Sequence, residues 1–353
     1  MRGRSVKAVL AALVVGGLVA GCAGSDGDSA AGSAKGGDSA RSAVTGAKDG
    51  KGPSAAPSAL PDGKGTDAGD GEFPRTVGHF QGKTELKKAP RRIAVLSTGQ
   101  LDDLLTLGTV PVAATRGENA GLVPDYLADA FPAHKKQLGA MTDAGTRAAP
   151  NLESLDRAKP DLILANTSLG DLYPKLSAIA PTVVTKGQGI NWKTDLLLVG
   201  AAIGKAGQAQ KVLDAFADEA RESGARLGAR DAEVSMVRFT PGRTRMFGVS
   251  SFTGSIAVDL GVKRPKSQEF LAVSEDISAE RIDAADGEWI FYSVQGDPAK
   301  TEAGSVLAGP LWQSLKAVKG KRAIQVDDDP WYLNAGPTAA GLVLDELTDR
   351  LGG

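Results

Sequence analysis

The chain has 353 residues, with 41 basic against 42 acidic side chains and a formal net charge of −1. That balance gives nucleic acid no electrostatic footing. Two histidines and one cysteine nearly exclude a multi-histidine or thiolate metal centre. No GxxxxGK[ST] phosphate loop or G-x-S-x-G nucleophile elbow occurs, and residues 248–252 (GVSSF) come closest to the elbow without its last glycine. An enzyme would therefore lack an evident nucleophile or base.

Arg2, Arg4 and Lys7 precede a short apolar run, Ala8–Ala20, too brief to span a bilayer comfortably. The run closes on LVAGC, residues 18–22, with small residues directly before the cysteine. This resembles the bacterial lipobox, which implies that Cys22 becomes a lipid-modified first residue. An ordinary secretory signal or an uncleaved anchor is the alternative. Residues 23–72 are almost wholly Ala, Gly, Ser, Asp, Lys and Pro, too poor in large apolar side chains to offset ordering entropy. They read as a flexible tether whose ends lie roughly 40 Å apart.

The remaining stretch of about 280 residues suffices for one large domain or two ordinary ones. Strands are expected at Arg92–Leu96, Val110–Ala114, Asp161–Ala165 and Thr182–Thr185, and helices at Gly99–Leu107, Asn151–Ala158 and Asp171–Ile179. Short strands alternating with helices predict a mainly parallel sheet covered on both faces. Apolar spacing then predicts a helix over Thr194–Ile203, a break at Gly204 and Gly207, and a second helix over Gln208–Leu227. The second spans roughly 30 Å at 1.5 Å per residue. The alternation resumes with strands at Glu233–Phe239, Arg245–Gly248, Glu288–Ser293 and Ala323–Val326. Helices are expected at Ser255–Leu260, Ser278–Ala285 and Thr338–Leu351. The predicted fold is α/β: an N-terminal lobe (73–193), connecting helices (194–228) and a C-terminal lobe (229–353), with mainly parallel sheets and a ligand cleft between the lobes.

Two stretches read as copies, NLESLDRAKPDLIL at 151–164 and SAERIDAADGEWIF at 278–291. Each starts with an N-cap residue (Asn151, Ser278), has a glutamate two places later (Glu153, Glu280) and an inward Leu155 or Ile282. From spacing alone, an acid in the first helical turn is accounted for by the helix dipole, worth about 0.3–1 kcal/mol.

The lipobox and tether, PRRIAVLS at 90–97, RAAPNLE at 147–153, KPDLILA at 159–165 and PLWQSL at 310–315 occur in that order. Together they resemble the iron–siderophore substrate-binding lipoproteins of ABC importers, in the class with a single backbone helix. The likeness covers about Phe73 to Gly353 and is strongest to hydroxamate binders of the ferrioxamine or ferrichrome type. It implies that Glu153 and Glu280 dock onto arginines of the two permease subunits, where rim charges steer and fix register. It implies that Arg147 bonds the iron-bound hydroxamate oxygens, a task suited to a planar, permanently charged fork. It also implies aromatic ligand contacts at Trp331 and Tyr332.

Trp192 and Trp312, in expected loops or helix starts, are further candidates for a concave site, with Tyr173 a weaker one. Ordinary packing is an equal reading for each loop tryptophan, while Trp289, inside a strand, reads as core. Arg238, near the end of its strand, would point to the cleft, since open α/β sheets bind ligands there. A surface strand arginine is the alternative.

No cofactor is expected: ferric iron arrives wrapped by six siderophore oxygens, so the protein supplies no metal ligand. The partners implied are a ferric hydroxamate, a permease dimer and the membrane reached through the lipid anchor, with the binding protein itself a monomer outside the cytoplasm. Asp327–Asp329 would repel a strongly anionic catecholate complex, although a solvated turn is the plainer reading. The single strut implies modest closure by tilting. A cobalamin- or haem-binding sister protein and an exported enzyme remain alternatives.

Overall fold

The computed structural model describes residues 56–118, 120–228 and 232–353. The signal segment, Cys22 and the tether up to residue 55 lie outside the described residues. The N-terminal lobe opens with a hairpin, β1 (Arg75–His79) and β2 (Gly82–Leu86). A six-stranded sheet follows, made of β3 (Ile93–Val95), β4 (Ala113–Arg116), β5 (Thr142–Thr146), β6 (Ala149–Pro150), β7 (Leu162–Asn166) and β8 (Thr182–Thr185). Its order is β6-β5-β4-β3-β7-β8, parallel throughout except for β6. The helices of this lobe are α1 (Thr98–Thr106), α2 (Asp125–Ala130), α3 (Lys135–Leu138), α4 (Leu152–Ala158) and α5 (Tyr173–Ile179). The sheet's central strands are buried on both sides, which explains why β7 reads Leu-Ile-Leu-Ala rather than alternating.

Two helices connect the lobes, α6 (Trp192–Ile203) and α7 (Ala206–Leu227). Gly204 ends α6 in the left-handed region at φ 78°, as its position predicts. In α7 a stripe of Ala209, Leu213, Phe216 and Ala220 is buried while the opposite face stays polar. The C-terminal lobe contains β9 (Val234–Thr240), β10 (Arg243–Phe247), β11 (Ser274–Ile277), β12 (Trp289–Val294) and β13 (Ala323–Gln325), in the order β11-β10-β9-β12-β13. Its helices are α8 (Phe252–Leu260), α9 (Ala303–Ala308), α10 (Pro310–Ser314), α11 (Lys316–Lys319) and α12 (Pro337–Leu351).

Three expectations need correction. This second sheet is mixed rather than mainly parallel: β9 and β10 form an antiparallel hairpin about Pro241 and Gly242, and β11 runs antiparallel to β10. The tether does not extend to residue 72. Ala56 is buried, Leu60 packs on the core, and Gly65 bridges Gly78 beside β1. Asp70 accepts from the Gly207 N–H at the start of α7 (3.0 Å) and Arg75 donates to the Gly69 carbonyl (2.7 Å), so backbone bonding orders a segment whose side chains bury little. Finally, the copy of α4 in the second lobe, Ala279–Ala285, is a 3₁₀ segment kinked at Arg281.

The lobes are also joined away from any cleft. Trp192 opens α6 and is 1% exposed, edge-on to Phe216 and Phe252 with ring centroids 5.0 and 5.8 Å away. Its indole N–H donates to Ser255 on α8 at 3.3 Å. Beside it Lys193 pairs with Asp259 at 2.8 Å, both nearly buried. A second join runs from α1 to α12, where Asp102 accepts from the backbone N–H groups of Thr338 (3.0 Å) and Ala339 (2.9 Å). There the backbones come so close that a Cβ on Gly99 would stand 2.5 Å from the Ala335 carbonyl oxygen.

Candidate ligand-binding cleft

The parallel strands of both sheets direct their carboxyl ends toward one crevice, the position at which open α/β sheets bind ligands. A cavity of about 390 Å³ opens there between the loop after β4 (Ala120, Gly121) and the ends of β12 and β13 (Val294, Gln295, Val326, Asp327). Gln295 reaches across it and donates to the Glu118 carbonyl at 3.1 Å.

On the C-terminal wall, strand register builds a polar row. Asp276, Arg245, Arg238 and Ser293 are successive cross-strand partners on β11, β10, β9 and β12. Deeper on the same faces lie apolar residues, Met236, Phe247 and Phe291, so the row marks where the core stops. Arg238 is 6% exposed and holds Asp328 with both prongs of its fork, Nε to Oδ1 at 2.7 Å and Nη2 to Oδ2 at 2.5 Å. Ser293 Oγ donates to the same Oδ1 at 2.6 Å. Arg245 pairs with Asp276 at 2.9 Å, and its pKa is lowered by burial and by the like charges of Arg243 and Arg238.

Arg147 faces this row from the N-terminal lobe. It sits in the turn between β5 and β6, tied to the end of β4 by its backbone N–H to the Arg116 carbonyl (3.0 Å). Its side chain reaches solvent yet is crowded: desolvation and then the charge of Arg238 lower its pKa, against the pull of Glu118. Arginines of the two lobes are thus near enough to repel each other across the cleft. The turn after β13 supplies the opposite charge. Asp327, Asp328 and Asp329 line the cavity, and burial with repulsion from Asp327, Asp328 and Asp125 pushes Asp329 up to about 6.

The structure brings together Arg147, Arg238 and, behind Arg238, Tyr332. The other aromatic candidates go elsewhere. Trp192 lies in the seam between α6 and α8. Trp312, 3% exposed, packs with Phe239 and Tyr292 on the opposite face of the second sheet. Trp331, 1% exposed, stacks on Phe291 at 5.0 Å and donates to Glu346 on α12 at 2.9 Å. Tyr332 is half-buried, with its hydroxyl donating to the Phe291 carbonyl (2.9 Å) and its ring 4.7 Å from Phe247, so it backs the wall rather than facing the cavity. Tyr173 packs on His79 at the β8 edge of the first sheet, roughly 20 Å from Arg147 at 4.8 Å per strand. A shared physical reason covers these corrections: a tryptophan in a loop or helix start still buries its ring when a neighbouring helix offers an apolar face.

Glu153 and Glu280 are exposed, one on each lobe. Glu153 pairs with Arg157 one turn on, and Glu280 is held below the usual carboxylate range by hydrogen bonds from Ser278 and its own backbone N–H. Asn151 caps α4 by accepting from the Ser154 N–H (3.0 Å), and Leu155 and Ile282 face inward as expected. Sequence reasoning missed Ser293, Arg245 and the role of Asp328, since strand register alone aligns them with Arg238. Among the described residues no group of three or more His, Cys, Asp or Glu side chains is arranged to hold a metal ion.

Residues 93–330 match the family described as periplasmic binding protein, and the chain belongs to that family. It is 34% identical over 287 residues to the probable siderophore-binding lipoprotein YfiY of Bacillus subtilis (strain 168), covering 77% of this chain and 86% of YfiY. It is 30% identical over 293 residues to the ferric-anguibactin-binding protein FatB of Vibrio anguillarum (strain ATCC 68554 / 775), covering 78% and 86%. Among solved structures it is similar to Staphylococcus aureus SirA complexed with staphyloferrin B, at 28% identity and a TM-score of 0.69, covering 78% of this chain and 98% of SirA.

Proposed function

We propose that this protein captures a ferric siderophore outside the cytoplasmic membrane and delivers it unchanged to an ABC importer. The observation that carries the reading is a cavity of about 390 Å³ lined by residues of both lobes, beside which Arg147 of one lobe comes near enough to Arg238 of the other for their charges to repel. Guanidinium forks suit the ligand oxygens of an iron chelate, and the iron is cargo already wrapped by its chelator. The relatives support the same reading, as YfiY, FatB and SirA are named for or solved with siderophores.

The ligand is a hydroxamate chelate such as ferrioxamine. Three hydroxamates balance Fe³⁺, and a complex of low net charge suits a cavity whose floor carries Asp327, Asp328 and Asp329. Arg147 bonds its iron-bound oxygens. Glu153 and Glu280, exposed one per lobe, dock onto the two permease subunits, and a lipid on Cys22 tethers the protein to the membrane. Among the described residues no helix is long and apolar enough to cross a membrane.

Calorimetric titration with ferrioxamine, a ferric catecholate, ferric citrate, cobalamin and haem tests the reading. Ferrioxamine should bind most tightly, and Arg147→Ala should weaken it by about 1.5–3 kcal/mol, the worth of a charged hydrogen bond. Preference for cobalamin or haem, or turnover of any of these ligands, would overturn it.

A further inference from the structure

We propose that Asp328 sets the charge of the chelate the cleft accepts, by cancelling Arg238 before any ligand arrives. The proposal rests on the siderophore reading above and goes beyond it to the residue that decides which siderophores are admitted. Three short contacts fix the Asp328 carboxylate: the two prongs of Arg238 at 2.7 and 2.5 Å and the Ser293 hydroxyl at 2.6 Å. Register makes the arrangement rigid, since Ser293 and Arg238 are cross-strand partners in the interior of the sheet. Asp328 is itself part of the cavity lining. Its charge therefore stands at the ligand surface while it occupies the Nε and Nη2 edge of Arg238.

The neighbouring arginine is treated the same way, Arg245 being met by Asp276 at 2.9 Å. Arg147, on the other lobe, feels the opposing pull of Glu118. The arginine nearest the cavity on the C-terminal side, Arg238, thus has its charge already answered, next to two further carboxylates, Asp327 and Asp329. A neutral ferric hydroxamate can rest against this wall while Arg147 meets its oxygens, and it encounters no net repulsion. A ferric citrate complex, with carboxylates in excess of what iron balances, must approach Asp328 directly. Exclusion of the wrong ligand by a fixed like charge is a common route to specificity.

The test is calorimetric affinity for ferrioxamine and for ferric citrate, at one ionic strength, on the full chain and two variants. Asp328→Asn keeps the shape and leaves Arg238 with an unanswered charge. It should shift the affinity ratio toward ferric citrate by roughly tenfold or more. The double variant Arg238→Gln with Asp328→Asn restores a neutral pair and should return the ratio to the wild-type value, even though both affinities fall. Loss of both ligands in parallel with an unchanged ratio in Asp328→Asn would overturn the proposal, because a merely structural carboxylate predicts that result. If the single variant does not fold, a ratio in the double variant that departs from wild type overturns it equally. Wild-type protein that binds no ferric chelate at all would bring down the siderophore reading first, a separate and recognisable outcome.

Discussion

Where α6 meets α8, the lobes are joined by Trp192, Phe216 and Phe252 packed edge to face beside the Lys193–Asp259 pair. Where β12 and β13 meet the loop after β4, a cavity of about 390 Å³ lined by Gln295, Asp327, Asp328 and Asp329 separates them. The same two lobes are therefore welded along one line and held apart along another, and the difference lies in side-chain chemistry rather than in backbone topology. Aromatic rings exclude water and lock in few arrangements. Carboxylates and guanidiniums stay hydrated and leave room for a ligand to displace that water. The expectation that follows is modest tilting about the α6–α7 connection, with the polar side opening and the dry seam kept.

The largest expected effect breaks the dry side. Trp192→Ala should cost about 3–5 kcal/mol of stability through lost burial and the cavity left behind. Chemical denaturation would measure it, and a loss below about 1 kcal/mol would mean that this seam is not what holds the lobes together.

A smaller effect sharpens the wet side. Asp329 has its pKa raised to about 6 in the folded state, against a normal 3.8, so the native protein binds more protons than the unfolded chain between those values. Its contribution favours folding in acid and is lost as pH rises from about 4 to 6. Asp329→Asn should remove that slope and raise stability at pH 7 by about 1 kcal/mol after allowing for partial exposure. Melting temperatures of the two proteins from pH 4 to 8 would show parallel curves if the argument is wrong.

The smallest structural effect belongs to neither side. Glu153→Ala and Glu280→Ala should each leave stability and ligand affinity essentially unchanged, because both side chains project into solvent. Uptake of labelled ferrioxamine by cells should nevertheless fall. Normal uptake in the double variant would remove the docking role.

Much of the fold is legible from local signals. Thr182–Thr185 is a strand over the expected residues, and α6 starts only two residues before the expected Thr194. Asn151 declares the start of α4 and Gly204 the end of α6, since caps and left-handed turns depend on neighbours in sequence. The antiparallel half of the second sheet was less visible, because a strand's composition does not state its direction. Of the cleft, Arg238 could be placed by its position near a strand end, and Arg147 only through the family resemblance. The tryptophans could not. Trp192 finds its partner Ser255 63 residues away, and Arg238 finds Asp328 90 residues away. No window of sequence contains such a pairing, and a loop position says nothing of the direction in which a ring points.

Asp102 carries a consequence for how the chain reaches this state. Its grip on the first turn of α12 bridges 236 positions of sequence. Contacts of such separation form late, since the long loop must be closed before they offer any reward. Without α12 the carboxylate of Asp102 would lack the two amides that offset its burial, a cost to seating α1 in the interior. Completion of the first lobe should therefore depend on almost the farthest part of the chain, and a chain cut short before α12 should leave this joint unlatched.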